Sequence, residues 1–323
     1  MHGTFAKYFC HPGLDPGSRL NIGKMREMDY NVLMLNINLI TRPWHDYELL
    51  DSGDNRKLER YGSVLLIRPE TQVLWRPSRP ELWAQAVAEF SWADGKGAWK
   101  KRGHVPESWE LSWENAGFTI RLTPFKHTGV FPEQAANWEW LNEKIAKLHK
   151  PNVLNLFAYT GIASIVAAKQ GARVTHVDAS RQSNLWAKAN AHLSEVGADR
   201  IRYVLDDAVK FAEREVRRGS MYDGVILDPP AFGRGPKGEV WHIEEQLPRL
   251  MDALAKIFSE KPGSFFLLNG YAAGYSPTAF LRATKSAFPE SALKNKFEFG
   301  ELQIQESGSE RVLPQGIYVR FAR

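Results

Sequence analysis

The sequence predicts an α/β protein, a parallel sheet covered by helices on both faces and preceded by a smaller β-rich region. Three observations carry this. After "TPFKHTGVF" short strands and helical segments alternate to near the C-terminus. Those strands are apolar throughout, as strands buried on both faces are. From about residue 45 to 125, short apolar runs and turn signals dominate instead.

The elements follow in order. The Gly- and Pro-rich head "MHGTFAKYFCHPGLDPGSRLNIGK" has no helical or strand periodicity and no apolar core of a secretory signal. Residues 1–34 read as a disordered or loosely attached arm, and Met25, Met28 and Met34 are alternative starts. Residues 35–125 form the small β-rich domain. "SVLLIRP" and "TQVLWRP" are apolar runs closed by Arg-Pro, and "WELSW" and "FTIRL" flank the hairpin connection Glu114–Gly117. Trp75, Trp109 and Trp113 read as the core of this region, with an RNA platform as the alternative. "KGAWKKRGH" is the densest basic cluster; it is either a solvated loop or a phosphate-contacting patch with Trp99 free to stack a base.

Residues 126–323 form the larger domain. "PEQAANWEWLNEKIAKLHK" predicts a helix starting at Pro132, with Lys147, His149 and Lys150 near its end. The strands are "NVLNLF", "RVTHVD", "IRYVLD", "DGVILD" and "SFFLLNG". Ile243, Leu247, Leu250, Met251, Leu254, Ile257 and Phe258 recur at the spacing of one helical face. "ELQIQES" and "GIYVRFAR" predict a terminal antiparallel pair.

Composition sets broad limits. Of 323 residues, 43% are hydrophobic and the net charge is +5, spread evenly along the chain. That describes a soluble globular protein for which a nucleic-acid partner is permitted but not shown. No apolar run approaches the ~20 residues of a membrane helix. The single cysteine, Cys10, excludes an intrachain disulfide and fits a cytoplasmic location. The histidines lack ligand spacing, so no metal is expected, and His176 reads as a core histidine within a strand.

Ligands of open α/β sheets sit at the carboxyl ends of strands. The first such turn, Phe157-Ala158-Tyr159-Thr160-Gly161, has one glycine. It matches neither G-x-G-x-x-G nor the P-loop, so no pyrophosphate cradle is present, and the glycine would let the chain approach a ligand closely. The second strand ends in Asp178, suited to both ribose hydroxyls, and the third in Asp206-Asp207, suited to an exocyclic amine. Asp207 reads equally as a helix N-cap. Adenine and ribose without phosphate point to S-adenosyl-L-methionine.

"NVLNLFAYTGIASIVAAKQGA", "VTHVDAS", "LDDAVKF" and "VILDPPAFGRG" resemble class I S-adenosylmethionine-dependent methyltransferases, and more narrowly the bacterial large-subunit ribosomal RNA methyltransferases that modify cytosine C5 or guanine. "FKHTGVFPEQAANW" and "SERVLPQGIYVRF" resemble the same family. The resemblance implies a Rossmann-like sheet of seven strands, six parallel and the last inserted antiparallel. It places Phe131 and Gln134 near the cofactor, flanked by Lys126 and Thr128, and adds Ala179 and Ser180 beside Asp178. Where the family often carries two arginines after the Gln, this chain has Ala135 and Trp138. Lys126 or a helix N-terminus is then left to hold the methionine carboxylate.

Asp228-Pro229-Pro230-Ala231-Phe232 closes the fourth strand. Methylation of a pyrimidine carbon needs a cysteine to attack the ring first. Relatives that use one carry it after a later strand, where this chain reads Leu267–Tyr271. A base nitrogen needs only acceptors around it: the Asp228 carboxylate and the Pro229 carbonyl, with Pro230 stiffening the turn. Phe232 either stacks the acceptor base or packs in the core. "GRGPKGEVWH" reads as a lid with Arg234 and Lys237, or as an ordinary surface loop. The expected activity is methyl transfer to RNA, ribosomal above all, by a monomer or homodimer. The alternatives are a small-molecule or protein methyltransferase and a non-catalytic RNA-binding protein.

Overall fold

The computed structural model describes residues 34–93, 96–271, 274–288 and 296–323. The N-terminal arm and Cys10 lie outside the described residues, Met34 excepted. In chain order the elements are β1 (Met34–Asn36), β2 (Leu39–Thr41), β3 (Tyr47–Gly53), β4 (Arg56–Tyr61), β5 (Val64–Pro69), β6 (Ala88–Ala93), β7 (Lys96–Lys101), β8 (Trp109–Trp113) and β9 (Ala116–Ile120). There follow α1 (Ala135–Ile145), β10 (Asn152–Leu156), α2 (Ile162–Lys169), β11 (Arg173–Asp178), α3 (Arg181–Leu193), β12 (Ile201–Leu205), α4 (Ala208–Arg218) and β13 (Gly224–Leu227). The remainder is β14 (Phe232–Arg234), β15 (Val240–His242), α5 (Ile243–Ile257), β16 (Phe265–Tyr271), α6 (Pro277–Ala287), β17 (Phe297–Gln305) and β18 (Val312–Ala322).

The main sheet runs β12-β11-β10-β13-β16-β18-β17. Pairing is parallel from β12 to β16, and β18 is antiparallel to both β16 and β17. The expected seven strands, one inverted, are therefore present. β1 and β2 add to them, pairing in parallel with β17 and extending the sheet to nine strands. They cover an edge that would otherwise present unpaired backbone groups.

Alternate side chains of each central strand enter different cores, as a period of two requires. Val153, Val174, Ile226 and Phe265 pack with α1 and α2 on one face, while Leu154, Val177, Val225 and Phe266 pack with α4 and α5 on the other. All seven apolar positions anticipated for α5 and its C-cap are buried.

The small sheet is β3-β4-β5-β6-β7, and β8 and β9 form a separate hairpin. Trp113 is buried, and Trp75 and Trp109 pack against the same cluster. That cluster is continuous with one face of the main sheet rather than a core of its own.

Three local expectations are corrected. "TQVLWRP" forms no strand: the Val73 and Trp75 carbonyls accept from Asn55 and Asp54 at the β3–β4 hairpin tip, and Leu74 is 88% exposed. "KGAWKKRGH" is an edge strand for most of its length. The helix after Pro132 begins as a 3-10 turn, Pro132–Gln134, and stops at Ile145, before its basic residues. Among the described residues no helix is long and apolar enough to cross a membrane.

Candidate cofactor and acceptor site

The carboxyl ends of β10, β11, β12, β13 and β16 open into one cavity of about 530 Å³. Its first wall is the turn after β10. Phe157, Tyr159 and Gly161 all have positive φ, at 54°, 48° and 82°. Such backbone is costly for residues with side chains, at about 1–3 kcal/mol each, and persists only where its surroundings hold it. Here the Tyr159 N–H donates to Asp178 Oδ2 at 2.8 Å, and the Thr160 hydroxyl donates to the Gly129 carbonyl at 2.6 Å. Asn190 Nδ2 donates to the Thr160 carbonyl at 2.9 Å.

Gly161 lines the cavity and serves a packing purpose as well. A Cβ there would lie 2.8 Å from the Ala187 Cβ of α3 and 3.3 Å from the His176 ring. The missing side chain lets two helices and a strand close together beneath the turn. His176 is fully buried, shares a 3.0 Å hydrogen bond with Ser164, and is held neutral by burial, which lowers its pKa to about 3.

Asp178 lies at the end of β11. Its Oδ1 accepts from the Ser180 N–H at 2.8 Å, so backbone donors fix both oxygens in place. Burial nevertheless raises its pKa, because two N–H groups offset only part of the lost hydration. Asp207 caps α4 by accepting from the Lys210 N–H at 2.9 Å, and it also borders the cavity. Asp206 is bound by Arg214 at 2.6 Å.

Of the anticipated cofactor residues, Phe131, Gln134, Phe157, Ala158, Tyr159, Thr160, Gly161, Asp178, Ala179, Ser180, Asp207 and Asp228 line the cavity. Lys126 and Thr128 do not. Thr128 is fully buried, and Lys126 Nζ donates to the Tyr271 hydroxyl at 3.0 Å, over the face of that ring. Trp138 is buried edge-on against Trp113.

The second half of the cavity lies around Asp228, Pro229 and Pro230. Burial raises the Asp228 carboxyl to about 7, and the nearby Glu133 pushes the same way. Glu133, in the turn that opens at Pro132, is an acid the sequence does not single out. It is 4% exposed, lines the same cavity, and its own pKa is raised by burial. The Glu133 backbone carbonyl is held by the Thr41 hydroxyl at 3.0 Å, which fixes the turn that carries it. Nothing local in "VFPEQ" marks this acid, since its placement depends on how the turn packs against β2 and β17.

"GRGPKGEVWH" is an ordered hairpin, β14–β15, rather than an irregular loop. Trp241 ties it down, donating to the Pro230 carbonyl at 2.6 Å and packing its ring on Phe157 at 4.8 Å. That leaves Pro229 as the carbonyl of the pair with no part in this anchor. Phe232 is 53% exposed and packs on His242, so the core reading fails, but it does not line the cavity either. Arg234 does, whereas Lys237 does not.

The strand order with its one inverted strand, and an acid at the end of the second strand, define a class I methyltransferase fold. The chain belongs to the S-adenosylmethionine-dependent methyltransferase family, whose model matches residues 87–291. It is similar to the crystal structure of a SAM-dependent methyltransferase from Agrobacterium tumefaciens, with 39% identity, a TM-score of 0.85, and coverage of 90% of this chain and 95% of that one. The fold is shared with SMU.776, a methyltransferase solved in complex with SAH, at 20% identity and a TM-score of 0.65 over 86% and 76% of the two chains.

Among curated proteins, ribosomal RNA large subunit methyltransferase K/L of Syntrophotalea carbinolica is 35% identical over 139 residues, 43% of this chain and 19% of that protein. Ribosomal RNA large subunit methyltransferase K of Neisseria meningitidis is 25% identical over 229 residues, 67% and 64% of the two. The chain thus spans between a fifth and two thirds of the length of these relatives.

Proposed function

We propose that this protein transfers the methyl group of S-adenosylmethionine to a base nitrogen of RNA, with large-subunit ribosomal RNA as the substrate and the cytoplasm as the location. The observation that carries this reading is Asp228 beside the Pro229 carbonyl, in the same cavity as the cofactor turn and Asp178. The cavity suits the cofactor chemically. Asp178 meets the ribose hydroxyls, Phe131 and Tyr159 offer apolar faces, and the carboxyls of Asp228 and Glu133 face a cationic sulfonium. When bound, that sulfonium supplies an electrophilic methyl group. Lys126 is committed to Tyr271, so the N-terminal N–H groups of α2 are the better partner for the methionine carboxylate.

The protein's own part is positioning and proton transfer. A base nitrogen gains positive charge as it takes the methyl carbon, and it must then lose a proton. The ionised Asp228 carboxylate accepts that proton, while the Pro229 carbonyl orients the amine. Among the described residues no cysteine lines the cavity, which favours a base nitrogen over a pyrimidine carbon, whose methylation needs a thiol. The names of the K/L and K relatives support ribosomal RNA as the substrate class.

The test is transfer of labelled methyl groups to ribosomal RNA from a strain lacking this gene. Asp228→Asn is expected to lower kcat by about 10²–10⁴-fold while leaving S-adenosylmethionine affinity within about tenfold. Full activity in Asp228→Asn, or label confined to protein or small molecules, would overturn the reading.

A further inference from the structure

Three aromatic rings stand in a row on one face of the β6–β7 pair. Phe90 is buried at the centre, with Trp92 and Trp99 each 5.3 Å from it and edge-on. Trp99, the ring expected to stack a base, is tied down. Its Nε1 donates to the Thr123 carbonyl at 2.8 Å and to the Phe125 carbonyl at 3.2 Å. The rings left open are its neighbours, Trp92 at 59% exposure and Phe125 at 64%.

The exposure of Trp92 is built in. Trp92 pairs with Gly97, where an added Cβ would come within 2.3 Å of Phe90 and 3.0 Å of the Trp92 ring. A glycine there lets both rings lie against the β7 backbone. Lysines stand along the adjoining edge strand. Lys101 shares the aromatic face by the period of two, and Lys96 and Lys100 project from the other face of the same exposed edge strand. Lysines on an edge strand also prevent sheet-to-sheet pairing. That role needs no aromatic rings, and Trp92 stands on the inner strand of the pair.

Phe125 lies beside the reaction site. Phe125 is two residues before His127, which lines the cavity, so their Cα atoms are within about 7.6 Å. A base reaches a cavity of this kind only by leaving its stack, and its flanking nucleotides must then rest on the adjoining surface. Open aromatic faces among cations are what single-stranded nucleic acid recognises.

We propose that Trp92 and Phe125, with Lys101, bind the single-stranded RNA that flanks the target nucleotide. This rests on the RNA reading above and adds a second contact site to it. The test combines steady-state methyl transfer to unmodified ribosomal RNA with anisotropy of a short fluorescein-labelled single-stranded RNA. Trp92→Ala and Phe125→Ala are each expected to raise KM for RNA and Kd for the oligonucleotide about tenfold, with kcat and S-adenosylmethionine affinity within about twofold of wild type. Trp92→Tyr should restore most of the loss, and Lys101→Glu should weaken binding while flattening its salt dependence. If wild type methylates RNA and both alanine variants keep its KM, the inference is overturned and the RNA reading stands. If wild type binds no RNA at all, both fall.

Discussion

Asp228 is the residue on which the proposed chemistry turns, and its protonation has consequences on either side of neutrality. Burial and Glu133 hold its carboxyl at about 7, against an ordinary value of 3.8. The folded protein therefore keeps this proton more tightly than the unfolded chain. The stability so gained is complete below pH 4 and is lost as the pH rises through about 7. Catalysis needs the opposite state, because only the ionised form accepts a proton. The kcat/KM for the free enzyme should thus rise with pH through a midpoint near 7. Glu133→Gln removes the neighbouring charge and should move that midpoint down, while a purely structural role for Glu133 would leave it in place. Asp228→Asn should show a higher Tm than wild type at pH 8 and little advantage below pH 4, a difference readable by differential scanning fluorimetry. Asp228, Pro229 and Pro230 stood out in the sequence because an acid followed by two prolines at a strand end is unusual, and they line the cavity. Glu133 did not, because its burial is set by contacts of its turn with β2 and β17 that no local pattern records.

The turn after β10 shows how an element can be recognised correctly for an incomplete reason. Its single glycine separated it from dinucleotide and P-loop turns, and the structure places it at the head of the cavity. Yet Gly161 is required by its φ of 82° and by the approach of Ala187. Gly161→Ala should therefore destabilise the fold by about 2–4 kcal/mol, the sum of left-handed backbone strain and overpacking. Denaturant midpoints would measure it. Adding Ala187→Gly should recover the packing part and leave the backbone part. Strands and α5 were legible because apolar periodicity is a property of consecutive residues. "TQVLWRP" was misjudged because a short apolar run carries no information on where its carbonyls find donors; here the donors are on the β3–β4 hairpin tip.

Across the whole molecule, a buried polar network ties the small sheet to the wall of the cavity. Arg68 Nε and Nη2 grip the Glu59 carboxylate at 2.7 and 2.8 Å, and Arg68 Nη1 donates to the Lys126 carbonyl at 3.2 Å. Lys57 donates to Gln315, whose Nε2 donates to Glu70 at 3.0 Å, and Gln315 lines the cavity. Burial alone would raise Glu59, but Arg68 and then Lys57 override it and hold the carboxyl at about 2. Its contribution to stability is present above the ordinary value of 4.5 and is lost as the pH falls toward 2. Glu59→Gln leaves the Arg68 charge buried without its main partner and should cost about 3–5 kcal/mol at pH 7. It should also flatten the fall in Tm between pH 4.5 and 2.

The sequence by itself determined the order and kind of the main-sheet elements and the strand ends at which the chemistry gathers. Those depend on periodicity and on residues adjacent in the chain. Tertiary structure alone decided that Glu133 faces the cavity of Asp228, that Lys126 turns to Tyr271, and that Gln315 joins β4 to the site. Each is a meeting of residues distant in sequence, and burial, which has no local signature, sets their charge.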